Sequence, residues 1–230
     1  MDIYTILKDL YRTRNLQQWV NNRFYSETDF IIKRNEHVIE VNGIKFYLDD
    51  MFNTIDSVNT EYNFDDIQPS DIVLDIGACI GGFSLRVAPL VKHVYAVEPI
   101  MTDRLRENIK LNNIKNITVI EGALGNGSIV DINWMRTIRR HKTKSLSDLN
   151  SLCGSHIDFL KCDCEGAEWC IKPEELKGIR RIEAEIHSFK NMPSVRSFLP
   201  ILDNAGFNYT ITDLNNYVAI ITHAKNKNIS

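Results

Sequence analysis

The chain has 230 residues, 43% of them hydrophobic, with 27 basic against 30 acidic side chains and a formal net charge of −3. That is apolar material for one sizeable core with a small appendage. The near-neutral balance does not suit a protein that grips a nucleic-acid backbone, which shows a basic excess, and no apolar stretch is long enough to cross a bilayer.

Residues 2–21 place Ile3, Ile6, Leu7, Leu10, Leu16, Trp19 and Val20 at helical spacing, interrupted by Arg12 and Arg14. No basic run followed by an apolar core opens the chain, so no signal peptide is expected. The five cysteines are an odd count, which points to free thiols and a cytoplasmic setting. In HVIEVNGIKFYL, residues 37–48, two alternating runs flank Asn42-Gly43, a strong hairpin signal. Residues 1–60 are therefore expected to form a helix-and-hairpin appendage to a main domain over 61–230.

From Asp71 onward short apolar strands alternate with helical segments. IVLDIGA precedes a helix from about Gly82 to Val91, and HVYAVEP precedes one from about Thr102 to Leu111. ITVIEGAL follows; then IDFLKCDCEG with a helix after it, and RIEAEIH before a helix from about Ser194 to Ala205. The basic cluster Arg139, Arg140, His141, Lys142 and Lys144 reads as a solvated loop. Alternation of this kind predicts a parallel sheet with helices on both faces. NYTITD and YVAIITHA are separated by Leu214, Asn215 and Asn216, a gap that joins antiparallel strands. The expected fold is α/β and Rossmann-like: a mostly parallel seven-stranded sheet closed by an antiparallel C-terminal hairpin, the strand pattern of class I methyltransferases.

The segment Asp75-Ile-Gly-Ala-Cys-Ile-Gly-Gly82 follows a strand and opens a helix. Glycines there let the backbone turn tightly and approach a ligand, and the helix start adds free N–H groups. A dinucleotide fingerprint, GxGxxG, needs its second glycine for the pyrophosphate. Here that position is Cys79. S-Adenosylmethionine (SAM) has no phosphate and needs the turn, exposed amides and a carboxylate. Gly77, Ala78 and Gly81 are therefore candidate cofactor contacts, and Asp75 can orient the loop or meet the amino-acid end. Glu98 ends the next strand, placed to accept hydrogen bonds from both ribose hydroxyls. Glu121, Gly122 and Ala123 end the third, beside the expected adenine.

Acceptors bind outside the carboxyl ends of such strands. Period-two alternation puts Glu183, Glu185 and His187 on one face of their strand, where carboxylates need partners; Lys161 on the neighbouring strand is the natural partner for one of them. Asp163, Glu165, Glu185 and His187 are expected to line the acceptor end. Asp163 also reaches the cofactor. Methyl transfer is a direct displacement, catalysed mostly by positioning. His187, with a reference pKa near 6.5, is either a general base for a hydroxyl nucleophile or a strand cap that only packs. Asp163, Glu165 and His187 suit Mg²⁺ or Ca²⁺, but structural pairing is the preferred reading and no metal is expected. Cys162 and Cys164 lack zinc spacing.

Together these motifs resemble the FkbM family of methyltransferases. The matching pieces are DIGACIGGFS (75–84), YAVEP (95–99), ENIKLNN (107–113), SLSDL (145–149), IDFLKCDCEGAEW (157–169) and EIH (185–187), within a span of about 71–190. The resemblance implies a class I fold and O-methylation of small molecules, often sugar or natural-product hydroxyls. It gives Asp75, Gly77 and Glu98 cofactor-binding roles, and Asp163, Glu165 and Glu168 the motif after the fourth strand. Cysteines stand at 162 and 164 where aliphatics are usual. The first 60 residues fall outside it and are candidates for roofing the cleft and setting acceptor choice.

The expected partner is a small-molecule or glycan acceptor; a nucleic-acid partner is not expected. Three other readings stay open. One is an RNA methyltransferase with the appendage as an RNA-binding module. The others are a NAD-dependent oxidoreductase, against which Cys79 counts, and a non-catalytic SAM-binding protein.

Overall fold

The computed structural model describes residues 32–34, 38–47, 62–134, 137–213 and 219–229. The helical pattern read over 2–21 lies outside them. The chain divides into two compact units, residues 1–55 and 56–230.

In the first unit, β1 (Ile32–Arg34), β2 (Val38–Val41) and β3 (Ile44–Tyr47) form an antiparallel sheet in that order. The β2–β3 turn is Asn42-Gly43, both in the left-handed region at φ 50° and 84°, the geometry that the Asn-Gly pair favours. A Cβ on Gly43 would meet nothing within 4 Å. Gly43→Ala is therefore expected to cost only backbone strain, about 1 kcal/mol, as read by chemical denaturation.

The second unit is built on a seven-stranded sheet. Its strands are β4 (Ile72–Ile76), β5 (His93–Glu98), β6 (Ile117–Glu121), β9 (Phe159–Cys162), β10 (Arg181–His187), β11 (Phe207–Asp213) and β12 (Ala219–Asn226), in the order β11-β12-β10-β9-β4-β5-β6. All neighbours pair parallel except β10–β12 and β11–β12. The fold is thus the Rossmann-like one the alternation predicts. Every residue of β4 and β9 is buried, as strands covered on both faces require. Leu74, Leu160, Cys162, Ile182 and Ile186 face one core layer; Val73, Phe83, Val94 and Phe159 face another. Each fully buried side chain of this size contributes roughly 1.5–3 kcal/mol relative to exposure.

Among the described residues most helices are shorter than the sequence suggests. The segment after β4 is α1 (Gly82–Val87) and then a 3₁₀ turn (88–90), since Pro89 cannot continue the α-helical bonding. Helix α2 (Thr102–Leu111) matches its expected bounds. The helix expected after β9 is absent: two 3₁₀ turns, Ala167–Cys170 and Pro173–Leu176, stand there. Gly166 before them and Gly178 after them sit at positive φ, and Pro173 interrupts the run. The expected Ser194–Ala205 helix is a 3₁₀ turn (195–198) followed by α4 (Leu199–Asn204).

Helix α3 (Leu146–Cys153) and the hairpin of β7 (Ile129–Trp134) and β8 (Thr137–Lys142) had no counterpart in the alternation. Helix α3 starts on a capping box in which Ser145 and Asp148 satisfy each other's backbone N–H groups. The basic cluster is not a loop. Strand β8 pairs antiparallel with β7.

The chain runs outward from β4 to β5 and β6, then returns to β9 and β10 on the other side. The reversal lies between β4 and β9, and a crevice at the carboxyl ends of those strands is where ligands of such sheets bind.

Candidate active site

The loop after β4 is held from both sides. The N–H groups of Gly77 and Ala78 donate to the Val97 carbonyl at 3.0 and 3.1 Å. Gly77 has φ 79°, and a Cβ there would lie 1.7 Å from the carbonyl oxygen of Asp163. Glycine is required at this position because the two loops touch. Gly81 (φ 98°) hydrogen-bonds back to Ala78 at 2.8 Å. Cys79 adopts φ 49°, and its N–H donates to Glu98 Oε2 at 2.8 Å.

Glu98 is buried. Its Oε1 also accepts from the N–H groups of Ile100 (2.6 Å) and Met101 (2.9 Å). The carboxylate therefore fastens the β4 loop to the start of α2, which the sequence did not reveal. Three of its roughly four lone-pair positions are occupied.

Asp75 is fully buried. It accepts from Ser84 Oγ at 2.6 Å and pairs with Lys161 Nζ at 3.2 Å, so of the two roles foreseen for it, these contacts fit loop orientation. At the end of β6, Glu121 is half exposed and lies near Arg139 (3.7 Å) and Arg106 (3.9 Å). The Gly122 N–H donates to the Glu98 carbonyl at 3.3 Å, and the Ala123 carbonyl accepts from Lys144.

Lys161 joins the two halves of the crevice. Its buried ammonium donates to the Gly77 carbonyl at 2.9 Å and lies 3.2 Å from Asp75 and 3.8 Å from Asp163. Burial alone would depress its pKa, but the Asp75 and Asp163 carboxylates outweigh it and hold the pKa above the usual lysine range. The partner expected for Lys161 was Glu183 or Glu185. Glu183 sits opposite it in register, yet its partners are Arg181, His223 and the Asn63 N–H. Lys161 has a carboxylate in register on each side, Glu183 on β10 and Asp75 on β4, and its ammonium turns to Asp75 and Asp163 while Arg181 and His223 take Glu183.

The loop 163–168 forms the acceptor side. Glu165 and Gly166 take left-handed conformations at φ 55° and 99°. Glu168, fully buried, closes the loop by accepting from the N–H groups of Cys164 (2.7 Å) and Gly166 (2.9 Å). Asp163 Oδ2 accepts from the Tyr62 hydroxyl at 3.0 Å. Tyr62 stands edge-on to Phe83 and lies 5.5 Å from the Lys161 ammonium. Burial raises the Asp163 carboxyl above its ordinary range, with Lys161 pulling the other way, and burial also raises Glu165. The Cys162 and Cys164 thiols lie 3.6 Å apart.

His187 stands at the end of β10, and Trp169 Nε1 donates to its carbonyl at 2.7 Å. Its Nδ1 is 3.4 Å from Glu168; its Nε2 is 3.3 Å from Glu185 and 3.7 Å from Glu165. The Phe189 ring stacks on it at 5.6 Å. Burial opposes the charged ring, but the Glu168 and Glu185 carboxylates overcome it and push the pKa up to about 11. The ring is therefore an imidazolium at neutral pH and has no lone pair with which to take a proton. This charge disfavours the general-base role that the sequence offered for His187: Glu165 and Glu168 from the 163–168 loop and Glu185 from β10 itself surround the ring. In proton-detected NMR the His187 ring is expected to stay protonated from about pH 6 to about pH 9; a midpoint near 6.5 would contradict that charge state.

SAM offers a ribose diol, an α-ammonium and a sulfonium, and no phosphate. The groups at the ends of β4, β5 and β9 are backbone N–H groups and the carboxylates Glu98 and Asp163, while Lys161 is occupied below them. That set fits a cationic nucleoside and would repel a pyrophosphate. Among the described residues no helix is long and apolar enough to cross a membrane.

A 23S rRNA (uracil(1939)-C(5))-methyltransferase RlmD of Klebsiella pneumoniae (strain 342) is 40% identical over 63 residues, 26% of this chain and 14% of that protein. RlmD of Psychromonas ingrahamii is 26% identical over 108 residues, 42% of this chain and 24% of that protein. The chain thus spans less than a quarter of these curated relatives. Among solved structures, M. jannaschii TYW2 in complex with AdoMet superposes with a TM-score of 0.51 at 17% identity, over 88% of each chain. An rRNA methylase from Streptococcus thermophilus gives 0.50 at 14% identity, over 76% of this chain and 92% of that one. At such identities the likeness shows the fold. The Methyltransferase FkbM domain matches residues 75–209. That span is more than half the chain and takes in the glycine loop, Glu98, the 163–168 loop and His187, and by it the protein belongs to the FkbM family of SAM-dependent methyltransferases.

Proposed function

We propose that the enzyme methylates a hydroxyl of a small molecule or sugar. The observation that carries this reading is the acidic acceptor end of the crevice, where Asp163, Glu165 and Glu185 converge beside the glycine loop. Carboxylates there accept hydrogen bonds from hydroxyls and repel phosphodiesters.

SAM supplies a methyl on a sulfonium that leaves as a neutral thioether on direct displacement. Gly77, Ala78 and Gly81 shape its seat; Glu98 takes a ribose hydroxyl; Gly122 and Ala123 border the adenine. Glu165 receives the acceptor's hydroxyl proton, and its raised pKa makes it a better base than an ordinary surface carboxylate, while Asp163 holds the acceptor end in place. Imidazolium His187 fixes Glu165 and Glu185 by charge. Glu165→Gln is expected to lower kcat by about 10²–10⁴ while SAM affinity changes little. Unchanged kcat would remove the proton-accepting role. The same reading keeps the enzyme in the cytoplasm, where its five free thiols are stable.

An RNA acceptor is the second reading, favoured by the 23S rRNA relatives and the basic β8 strand. The charges of that strand are partly answered: Arg140 grips Asp131 at 2.7 Å, and Arg139 lies near Glu121 and Asp103. Incubation with methyl-labelled SAM and separate pools of glycosides, phenols and bulk RNA separates the two. Label is expected as an alkali-stable ether on a small acceptor; label confined to RNA would overturn the proposal.

A further inference from the structure

Asp163, Glu185 and His187 stand at the carboxyl ends of β9 and β10, and one potential ligand atom of each lies within 4.8 Å of those of the other two. We propose that these three side chains hold one divalent cation of the Mn²⁺ or Mg²⁺ type. Ligand bonds of about 2.1–2.2 Å place cis ligand atoms about 3 Å apart and a trans pair up to about 4.3 Å, so side-chain rotations that close the wider gaps by no more than about 2 Å bring the three onto one ion.

The side chains are already oriented for it by groups outside the trio. Both outside contacts of the Asp163 carboxylate, the Tyr62 hydroxyl and the Lys161 ammonium, fall on Oδ2, which leaves Oδ1 for a ligand. Glu168 faces His187 Nδ1, so Nε2 is the nitrogen presented to Glu185. A buried carboxylate on the far nitrogen is the usual support of a metal-binding histidine, fixing its tautomer and ring plane.

The local charge calls for a cation. Asp75, Asp163, Glu165, Glu168 and Glu185 meet here, and the described residues set two cations against them, Lys161 and His187. Lys161 is committed to Asp75 and the Gly77 carbonyl. A divalent ion on Nε2 takes the place of the proton shared there with Glu185 and neutralises the carboxylates more fully. One imidazole with two carboxylates suits an oxygen-preferring ion that keeps waters. Those remaining positions open on the acceptor side, where an acceptor oxygen can replace a water and Glu165 remains as the carboxylate not used for ligation.

The site depends on the crevice and not on which acceptor is methylated. The probe is Mn²⁺, added to chelator-treated full-length protein and followed by electron paramagnetic resonance. Expected are one bound ion per chain and a ¹⁴N coupling from a single imidazole. Glu185→Gln and His187→Gln are each expected to weaken binding at least about tenfold, while Glu107→Gln on α2 leaves it unchanged. Circular dichroism and S-adenosylhomocysteine affinity verify that each variant is folded. Should a variant not fold, the nitrogen coupling in the unmodified protein decides the matter alone. No Mn²⁺ bound below about millimolar concentration, absence of the nitrogen coupling, or equal binding by the folded ligand variants would overturn the proposal. Methyl transfer to RNA with intact Mn²⁺ binding would overturn the acceptor reading and leave the metal site standing.

Discussion

Gly77→Ala is expected to lose more than about 3 kcal/mol of folding stability and to weaken SAM binding more than about a hundredfold. Two costs add. An alanine at φ 79° is strained by about 1–2 kcal/mol. Its Cβ would also overlap the backbone carbonyl of Asp163, 1.7 Å away, and a backbone atom cannot rotate aside as a side chain can. The β4 and β9 loops must part, and that movement shifts the Val97 hydrogen bonds, the Lys161 bond to the Gly77 carbonyl and the position of Asp163 together. Against a domain stability of about 5–15 kcal/mol the loss is large. Urea unfolding and calorimetry with SAM measure both effects. A variant within about 1 kcal/mol of the parent that binds SAM normally would show that the two loops are not packed as described.

Lys161→Met should be nearly as damaging, by about 3–5 kcal/mol. The methionine fills similar volume, so the loss is electrostatic: Asp75, with no exposed surface, keeps only the Ser84 hydroxyl. An unpaired carboxylate in that place must ionise without a counter-charge or take up a proton. The diagnostic is the double variant. Lys161→Met with Asp75→Asn removes both charges and is expected to recover a substantial part of the lost stability, a coupling visible in a double-mutant cycle. A single variant that unfolds like the parent, or a double variant worse than the two losses combined, would mean that Lys161 is not the counter-ion of Asp75.

These two residues differ in how far the sequence reveals them. Gly77 is visible because a glycine between an apolar strand and a helix has few explanations. The strands around it are equally legible, since burial on both faces leaves almost continuous apolar runs in β4 and β9. Lys161 is visible only as a charge on a buried strand; it has carboxylates in register on both sides, Asp75 and Glu183, and the strand pattern does not say which of them it takes. Tyr62 is less legible still. It acts on Asp163 across 101 residues of chain, and no local pattern marks an aromatic for that contact. The charge of His187 depends on Glu168 and Glu185 arriving together, so a reference pKa misleads.

The misread elements have local causes. Residues 129–134 and 137–142 pair as a hairpin, but Met135 and Arg136 between them carry none of the usual turn residues, and the basic run resembles solvated coil. After β9, the expectation of a helix follows the βαβ alternation, while Gly166, Pro173 and Gly178 permit only 3₁₀ turns. The Ser145–Asp148 capping box is a helix signal in plain view, hidden because the alternation already seemed complete without α3.

The central claim is that the crevice between β4 and β9 binds SAM. Calorimetric titration of the full chain with SAM and, separately, with NAD tests it most directly. Expected are one SAM per chain, with a dissociation constant in the range of about 1 μM to 1 mM, and no heat from NAD. Saturable NAD binding with no response to SAM would contradict it.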